Sequence, residues 1–492
     1  MSDLPRELFR PAKPRDREEL PPTANRGYFA DALLRFMRAI SSRIALGVIA
    51  LILLFSIFMP LFSTRRSDMM DPYYAKLAPR IESLGIRAEK ERRVSATGLV
   101  RIASIGMTEG ESLGESVGDA ASPLISMPNS DGKIYTVRVD TYLEVGFIYK
   151  TVDRAEYLSM LEYERERGEK LLYPLVATND YNPEPANANS WYKQASDGTP
   201  LDEFGEPLSV SEELRLVPNY LRDADGNIVY SVASGGGDTE SAGVKVRLLY
   251  YSYYKYKTGT APDYIFGLDS QGYDLALRLS DGIRLSLIIA IAVSLINFTI
   301  GALVGAVEGY YGGAVDLVLE RVTDVLSGVP FIVVATLFQI YLADRVGPIP
   351  SLLFAFVLTG WLGTANRVRL QFYRFKKSEY VLAARTLGAS DGRIIWRHIF
   401  PNTLGTLITA SALVIPGVIF QESMLSFLGI VNLGGESLTS LGTLLADASG
   451  VWINYPHLML FPALTISLLM ISFNIFGEGL RDAFNPRTKG GI

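Results

Sequence analysis

The chain has 492 residues, of which 48% are hydrophobic and 20% are charged, and its formal net charge is -5. Its mean hydropathy of +0.19 is too high for an ordinary soluble domain and too low for a chain embedded in lipid throughout. Cysteine is absent, which excludes disulfides and thiolate chemistry, and the two histidines, His398 and His457, lie far apart and are interpreted as structural. We expect membrane spans with one sizeable aqueous domain, no metal site and no nucleic-acid partner.

The first 64 residues contain an arm and a span. Residues 1–43 hold nine Lys/Arg, six Asp/Glu and five prolines, which predicts a mobile arm whose last part, Tyr28–Ile40, is amphipathic and lies on the membrane surface. Residues 44–64 carry no charge over 21 positions, enough to cross about 30 Å of hydrocarbon at about 1.5 Å per residue. The positive-inside rule places the arm in the cytoplasm because four arginines precede the span: Arg26, Arg35, Arg38 and Arg43.

Residues 65–284 form a hydrophilic block of 220 residues, which we predict to be an α+β domain outside the membrane. The residue pattern predicts a helical segment over residues 71–93. Concentrations of β-formers predict strands within Lys133–Val152 and Val244–Tyr256.

Two further features of this block concern turns and tyrosines. Asp225-Gly226-Asn227 predicts a hairpin turn, and the glycines at 235–237 predict a flexible tip. The tyrosines between 250 and 256 have two interpretations, a surface for a partner protein or alternating strand residues packed on a core.

Five more uncharged runs follow and bring the number of predicted spans to six: Leu285–Val307, Val325–Ala343, Val346–Asn366, Asn402–Gln421 and Ala448–Gly477. Alternation from a cytoplasmic start then places 308–324, 367–401 and the C-terminal tail inside, and 422–447 outside. Residues 367–397 contain eight Lys/Arg and two Asp/Glu, whereas 422–447 contain no Lys or Arg, so the charge bias agrees with this topology.

The stretch Ser378–Asn402 is polar and basic and lies between two predicted spans. It predicts a helix, a break and a second helix, with Gly388 as a left-handed C-cap and Ser390 or Asp391 as the next N-cap. Pro401 lies where a following helix can begin, because its missing N–H costs nothing there. The segment is therefore predicted to be a rigid connector and not a loose loop.

This connector resembles the EAA loop of ABC importer permeases through Ala383, Ala384, Gly388, Ile399 and Pro401. The sequence departs from the family pattern at two positions: Leu382 stands where a glutamate is usual, with Glu379 the nearest carboxylate, and Phe400 stands where leucine is usual.

Other phrases in the same order strengthen the resemblance to the C-type permeases of oligopeptide and dipeptide (peptide/nickel) importers. They include Gly267, Asp269, Gly272 and Asp274 before the second span, residues 309–330, 425–429 and 440–442, and the closing phrase 473–487. Taken physically, the first of these phrases also suits a turn followed by an N-capped amphipathic helix. The block at 65–284 is larger than the insertion typical of the family.

The resemblance implies a type I ABC importer permease fold of six transmembrane helices with an inserted α+β extracytoplasmic domain. It divides the chain into an arm (1–43), a first span (44–64), the insertion (65–284), a five-helix core (285–478) with the coupling loop at 378–401, and a cytoplasmic tail (479–492). Its setting would be the cytoplasmic membrane of a bacterium.

Partners follow from the same resemblance: a second homologous permease, two ATPase subunits, and an extracytoplasmic binding protein that delivers peptides. Since the chain has no phosphate-binding loop, it is expected to be non-catalytic and to hold no cofactor, with ATP and Mg²⁺ on the ATPases. The residues expected to receive the ATPase stroke are Glu379, Tyr380, Ala383, Ala384, Arg385, Gly388, Ala389, Ile394 and Pro401.

A translocation path lined by small and uncharged polar groups is a further expectation. The six runs contain no Asp, Glu, Lys or Arg, which disfavours an ion-coupled carrier. The candidate path residues are Ser294, Asn297, Thr299, Thr409, Ser411 and Asn474. An equally supported interpretation is that these residues serve helix packing and interhelical hydrogen bonds.

Two alternatives for function remain open on the sequence. The same type of importer could carry nickel or a peptide antibiotic, because the binding protein largely sets the cargo. In a less favoured alternative the chain is a membrane-anchored interaction protein whose outer block is the functional part.

Overall fold

The structure is a computed structural model that describes residues 28–63, 65, 68–81, 85–86, 88–105, 107, 134–184, 187–210, 214–234, 243–434 and 438–484. Most of the predicted arm, the end of the predicted tail and the glycines at 235–237 lie outside these residues. The chain divides into two units: Met1–Leu54 with Leu285–Asn432 and Thr465–Ile492, and Phe55–Arg284 with Leu433–Leu464.

The described helices are, in chain order, α1 (Tyr28–Arg38), α2 (Ile40–Phe62), α3 (Ala96–Ala103), α4 (Arg154–Arg167), α5 (Tyr250–Thr258), α6 (Leu275–Tyr311), α7 (Gly313–Ser327), α8 (Phe331–Val346), α9 (Pro348–Gly360), α10 (Leu362–Phe375), α11 (Glu379–Thr386), α12 (Asp391–Arg393), α13 (Phe400–Ala412), α14 (Val414–Phe427), α15 (Leu441–Ser449) and α16 (Pro456–Phe484). The described strands are β1 (Glu89–Ser95), β2 (Ile134–Asp140), β3 (Phe147–Val152), β4 (Leu172–Tyr173), β5 (Ser231–Ser234) and β6 (Gly243–Leu249).

Five helical runs in the described part of the chain are long and apolar enough to cross a membrane. They are Ile40–Phe62, Leu275–Tyr311, Pro348–Phe375, Asp391–Phe427 and Pro456–Phe484, and each overlaps a predicted span. A sixth span is reached if α7 and α8 count as one. The helices extend beyond the uncharged runs because a charged residue ends a hydrophobic run but does not end a helix. Thus α6 begins ten residues before the predicted Leu285.

The predicted third span, Val325–Ala343, is wrong as an uninterrupted helix. α7 ends at Ser327, α8 begins at Phe331, and the two helices are bent by 76°. The break follows from Pro330, which has no N–H to donate and has extended backbone angles of φ -60° and ψ 128°. Residues 308–324, expected to form a loop, are almost entirely helical in α6 and α7.

In the first unit, α6 packs against α10 through glycines spaced four residues apart. A Cβ on Gly305 would overlap the Ala365 carbonyl oxygen and lie 2.9 Å from the Val368 Cβ. Cβ atoms on Gly301 and Gly309 would lie as close to other α10 residues. Small residues at this spacing let two helix backbones approach closely, which is a common basis of helix association in membranes.

The helix α1 packs against the C-terminal part of α16. Its Phe36 ring lies 5.1 Å from that of Phe476 in an edge-to-face arrangement, and Ala32 and Phe36 are buried. Leu33 and Met37 on the same helix are exposed. One face of this amphipathic helix is therefore occupied by protein, and the predicted contact of the helix with the membrane surface remains a prediction.

In the second unit, β6 is the centre of an antiparallel sheet to which β3, β4 and β5 each pair. Phe147 lies opposite Leu249 in the β3–β6 register, while β1 and β2 form a separate antiparallel pair. These strands confirm the prediction for Lys133–Val152 over its described part. The predicted turn at 225–227 is also present, with Gly226 at φ +86° between the bridged residues Arg222 and Ile228.

Two predictions for this unit are wrong. Over 71–93 the described residues form a short 3-10 turn at Pro72–Tyr74 and the start of β1 instead of a helix, because pairing with β2 overrides the weak helical pattern. The strand predicted within Val244–Tyr256 is confirmed as β6, but β6 ends at Leu249, and the tyrosines that follow lie on α5 instead of on a strand. Tyr250, Tyr253 and Tyr254 are buried at helical spacing, so they pack on a core but do not alternate as on a strand.

The core of this unit contains a buried arginine on β6. Arg247 is 1% exposed, and its Nε donates to the Ala188 carbonyl at 2.7 Å while Nη1 donates to the Pro174 carbonyl at 3.1 Å. Its guanidinium carbon lies 3.8 Å from the centre of the Phe147 ring. Burial lowers the pKa of Arg247 to about 10, and the carbonyls and the ring partly offset the desolvation of its charge.

The segment before α6 has the predicted turn and N-cap. Asp269 Oδ1 accepts the backbone N–H groups of Gln271, Gly272 and Tyr273 at 2.9 Å each. Asp274 Oδ1 accepts the N–H of Ala276 at 2.9 Å in the first turn of α6. Burial raises the pKa of both carboxyl groups, although these hydrogen bonds favour the charged form.

Candidate functional site

The connector, residues 378–401, follows α10 and has the predicted shape of helix, break and helix. α11 ends at Thr386, and Gly388 takes the left-handed conformation with φ +81°. The Gly388 N–H donates to the Arg385 carbonyl and the Ala389 N–H to the Ala384 carbonyl, each at 3.0 Å. These bonds close the C-terminus of α11 and fix the direction in which the chain leaves it.

The second half of the connector runs into the next span without a break. Ser390 occupies the N-cap position of α12 but makes no side-chain capping bond. A π-helical turn at Ile394–Ile399 leads directly into α13, which begins at Phe400 with Pro401 in its first turn, as predicted. The wider turn accommodates Pro401 because the Phe400 N–H reaches back five residues to Ile395, and the proline has no N–H to satisfy.

One face of the connector is anchored in the core of the first unit. Val381, Ile394, Ile395 and Ile399 are buried and cluster with residues of α6, α10 and α13, among them Ala306, Val368, Phe372 and Leu407. Ile394 was predicted to contact a partner, and its place in this core makes it an anchor.

The other face is open. Leu387 is 88% exposed. Apart from the buried Ile394, the predicted coupling residues are exposed or half-buried. These are Glu379, Tyr380, Ala383, Ala384, Arg385, Gly388, Ala389 and Pro401. The connector therefore combines an exposed face with a buried face that packs on α6, α10 and α13.

Polar side chains link the connector to the end of α6, and others link α10 to α7. The Tyr310 hydroxyl donates to Asp391 Oδ1 at 2.5 Å, and Arg385 Nη2 donates to the Tyr310 hydroxyl at 3.3 Å. Arg369 donates from Nη2 to Asp316 Oδ2 at 3.1 Å and from Nη1 to Glu320 Oε1 at 3.0 Å. The sequence interpretation found Arg385 but missed the others, whose partners are up to 81 residues away.

A cavity of about 320 Å³ lies among α10, α13, α14 and α16. Its wall includes Thr409, which was predicted for the translocation path, and three charged side chains, Arg367, Glu478 and Arg481. The two arginines and the glutamate give the cavity groups that can meet either charged end of a zwitterionic ligand.

Three of the other predicted path residues form bonds within or between helices. Asn297 Nδ2 donates to the Phe356 carbonyl at 3.4 Å, and Ser411 and Thr299 donate to carbonyls four residues earlier on their own helices. Ser294 is buried and Asn474 is exposed. The structure thus brings Thr409 alone of this set to the described cavity wall, and for Asn297 the packing interpretation accounts for the contact.

Two buried acids were missed by the sequence interpretation. Glu308 on α6 is 2% exposed and Glu422 on α14 is 1% exposed. Ser286 and Ser426 donate to the two oxygens of Glu422 at 3.1 Å each. Each acid lies one position beyond the end of an uncharged run. Because the predicted spans end at the first charged residue, both acids fall in predicted loops. Within the described ranges, no three His, Asp or Glu side chains are grouped to hold a metal ion.

Comparison with known proteins gives two family models. Residues 297–490 match the binding-protein-dependent transport system inner membrane component, and residues 27–79 match the N-terminal transmembrane domain of oligopeptide transport permease C. The dipeptide transport system permease protein DppC of Lactococcus lactis is 39% identical over 48% of this chain and 68% of its own length. The oligopeptide transport system permease protein OppC of Escherichia coli is 38% identical over 47% of this chain and 76% of its own length.

The chain belongs to the oligopeptide and dipeptide permease family of ABC transporters. OppC of Bacillus subtilis is a further relative, 36% identical over 46% of this chain and 73% of its own length. As a family member the chain is a multi-pass membrane permease, a subunit that works with ATPase and binding-protein partners. A solved inward-facing structure of the MetNI methionine ABC transporter is also similar, with 15% identity over 42% of this chain and 94% of that one and a TM-score of 0.35.

The two family models leave residues 80–296 unmatched. This stretch contains β1–β6 and α3–α5. The family models therefore cover α2, the connector and the long helices from Asn297 onward, whereas most of the second unit lies outside both models.

Proposed function

We propose that this permease forms one half of the translocation path of an ATP-driven importer and receives the ATPase stroke through residues 378–401. The observation that supports the proposal is the division of this connector into a buried face and an open face. A partner that presses on the open face moves a segment that is packed against α6, α10 and α13. The remaining expected partners are a second homologous permease, which completes the path, and two ATPases, which hold ATP and Mg²⁺.

The proposed cargo is short peptides. The relatives named above are dipeptide and oligopeptide permeases, and the described cavity at Thr409 has cationic and anionic groups on its wall. A peptide carries an ammonium group at one end and a carboxylate at the other. Arg367 and Arg481 suit the carboxylate and Glu478 suits the ammonium group.

The proposed setting is the cytoplasmic membrane of a bacterium, with residues 65–284 on the outer side. Support comes from the four arginines before α2 and from the basic residues of the connector, both of which the positive-inside rule assigns to the cytoplasm. On that side of the membrane the insertion meets the binding protein that delivers peptides, and docking of that protein is its proposed role.

Peptide uptake by the assembled complex tests this function. The chain is purified from its native membrane with its partners and reconstituted into vesicles, and labelled dipeptides and pentapeptides are offered with the binding protein. We expect uptake that requires ATP and is absent with ADP. ATP-dependent uptake of Ni²⁺ with no uptake of peptides would favour the nickel alternative, and purification of the chain without ATPase subunits would favour the anchored interaction protein.

Thiol labelling in spheroplasts tests the topology, because the natural chain has no cysteine that would react. Phe204, which is 91% exposed, and Leu387, which is 88% exposed, are matched positions on the insertion and the connector. We expect Phe204→Cys to react with a membrane-impermeant maleimide in spheroplasts. Leu387→Cys, expressed without the ATPase subunits that would cover the open face, should react only after the membrane is permeabilised.

The two cysteine variants control for each other in that experiment. Reaction of both after permeabilisation shows that each thiol is accessible. Labelling of Leu387→Cys in sealed spheroplasts, or protection of Phe204→Cys there, would contradict the proposed orientation.

A further inference from the structure

Tyr310, at the cytoplasmic end of α6 in the proposed topology, contacts both halves of the connector. Its hydroxyl donates to Asp391 at the start of α12 and accepts from Arg385 in the last turn of α11. The guanidinium carbon of Arg385 also lies 5.7 Å from the centre of the Tyr310 ring. Tyr310 is 6% exposed, whereas Arg385 and Asp391 lie at the surface, so the two bonds are partly shielded from water.

The two halves that Tyr310 joins are separated by Gly388. A Cβ at Gly388 would meet no atom within 4 Å, so side-chain packing does not support the break itself. The apolar anchors Val381 and Ile394 hold each half to the core, but hydrophobic contacts carry little directional preference. The hydrogen bonds of Tyr310 add direction, because each fixes the position of a charged group on one side of the break.

A second set of contacts extends from Tyr310 to α7 and α10. Lys376 Nζ donates to the Tyr310 carbonyl at 3.5 Å and lies 4.6 Å from the centre of the Tyr373 ring. The Tyr373 hydroxyl donates to Asp316 on α7, and Arg369 donates to the same carboxylate. Contacts therefore run without interruption from the connector through the end of α6 to α7, the helix that is bent by 76° from α8.

We propose that Tyr310 is a positioning residue that holds α11 and α12 at a fixed angle and transmits movement of the connector to α6 and, through Lys376, Tyr373 and Asp316, to α7. Without it, a push on α11 is absorbed by rotation at Gly388 before it reaches the spans. This inference rests on the proposed coupling function of residues 378–401, and it assigns the transmission of force to a named set of polar contacts.

The test compares Tyr310→Phe with Tyr311→Phe in the complete complex. Each variant removes one hydroxyl, but Tyr311 is 54% exposed and lies next to Tyr310 on the same helix. Hydrogen exchange of the amides in 379–393 is measured without nucleotide, and the number of peptides imported per ATP hydrolysed is measured in vesicles. We expect Tyr310→Phe to raise the exchange about tenfold and to lower the peptides per ATP by a similar factor, with the KM for ATP unchanged. Tyr311→Phe should resemble the natural chain.

A double variant tests whether Tyr310 acts through Asp391. Asp391→Ala removes the carboxylate that accepts from Tyr310, so it should reproduce the part of the Tyr310→Phe result that this bond carries. The double variant should be no worse than Tyr310→Phe alone, because each change removes the same bond.

Hydrogen exchange needs no transport, so it separates the inference from the proposed function. Unchanged exchange in Tyr310→Phe, or an equal rise in Tyr311→Phe, would show that Tyr310 does not position the connector. Raised exchange with unchanged peptides per ATP would overturn the transmission of force. Absence of uptake in the natural complex would instead count against the proposed function, whatever the exchange shows.

Discussion

Gly388→Val is expected to leave ATP hydrolysis by the assembled complex largely intact and to lower the peptides imported per ATP about tenfold or more. Gly388 has φ +81°, and a β-branched residue there costs at least about 1–2 kcal/mol in backbone strain. A Cβ at this position would meet no atom of this chain within 4 Å, so the expected effect comes from the backbone conformation. The strain is relieved only if the chain leaves α11 in a different direction, which moves the open face away from the proposed ATPase partner. Uptake and phosphate release measured in the same vesicles check the result.

Gly388→Asn is the matched control for this substitution. Asparagine tolerates the left-handed conformation far better than valine, so uptake should be mostly retained although the side chain is also enlarged. Equal loss in the two variants would indicate a steric conflict with the partner and not a backbone effect. Retained coupling in Gly388→Val would contradict the role of the connector in transmission.

The connector could be predicted from the sequence because its structure is determined locally. Gly388 adopts the left-handed conformation that a C-cap requires, and the bonds that close α11 join residues three and five positions apart. The end of the connector could not be predicted in the same way. The π-helical turn before Pro401 depends on how α13 continues. The proline alone is compatible either with the start of a helix or with a place in a continuous helix whose wider turn leaves room for the proline ring.

The spans could be predicted in position but not in extent or continuity. Hydrophobic runs locate the lipid-facing residues, yet Glu308 and Glu422 lie inside helices because their charges are buried among protein neighbours. The third span shows the opposite error, since the run from Val325 to Ala343 has no charge to interrupt it and Pro330 ends its helical continuity. The hydrophobic composition of a run indicates how favourably it transfers into lipid. The position at which a helix breaks depends instead on which backbone N–H groups can form hydrogen bonds.

The contacts that assemble the site are the part that sequence reasoning could not reach. Tyr310 and Asp391 are 81 residues apart, and Arg369 and Asp316 are 53 apart. No periodicity links such pairs, because they meet only after α6, α7 and α10 have packed. The strand interpretation of the tyrosines of α5 is wrong for a related reason: their β-propensity is a weak preference that tertiary packing overrides.

The packing of α6 on α10, on which both the Tyr310 contacts and the connector depend, leads to the largest expected loss of folded protein. Gly305→Leu is expected to prevent this packing, because even the first carbon of the new side chain would overlap the Ala365 carbonyl and lie 2.9 Å from the Val368 Cβ. Overpacking of a core typically costs about 1–3 kcal/mol, and a clash with backbone cannot be relieved by a rotamer change. The yield of monodisperse protein in detergent and its Tm measure the effect.

Gly363→Leu provides the control on the partner helix, since a Cβ at Gly363 would meet no atom within 4 Å. It adds the same apolar volume to a membrane helix and should leave the Tm nearly unchanged. Gly305→Ala should give an intermediate loss, because it places only the overlapping Cβ. If Gly305→Leu were as stable as Gly363→Leu, α6 and α10 could not be in close backbone contact. The hydroxyl of Tyr310, one and a half turns further along α6, would then have no fixed position from which to reach Asp391.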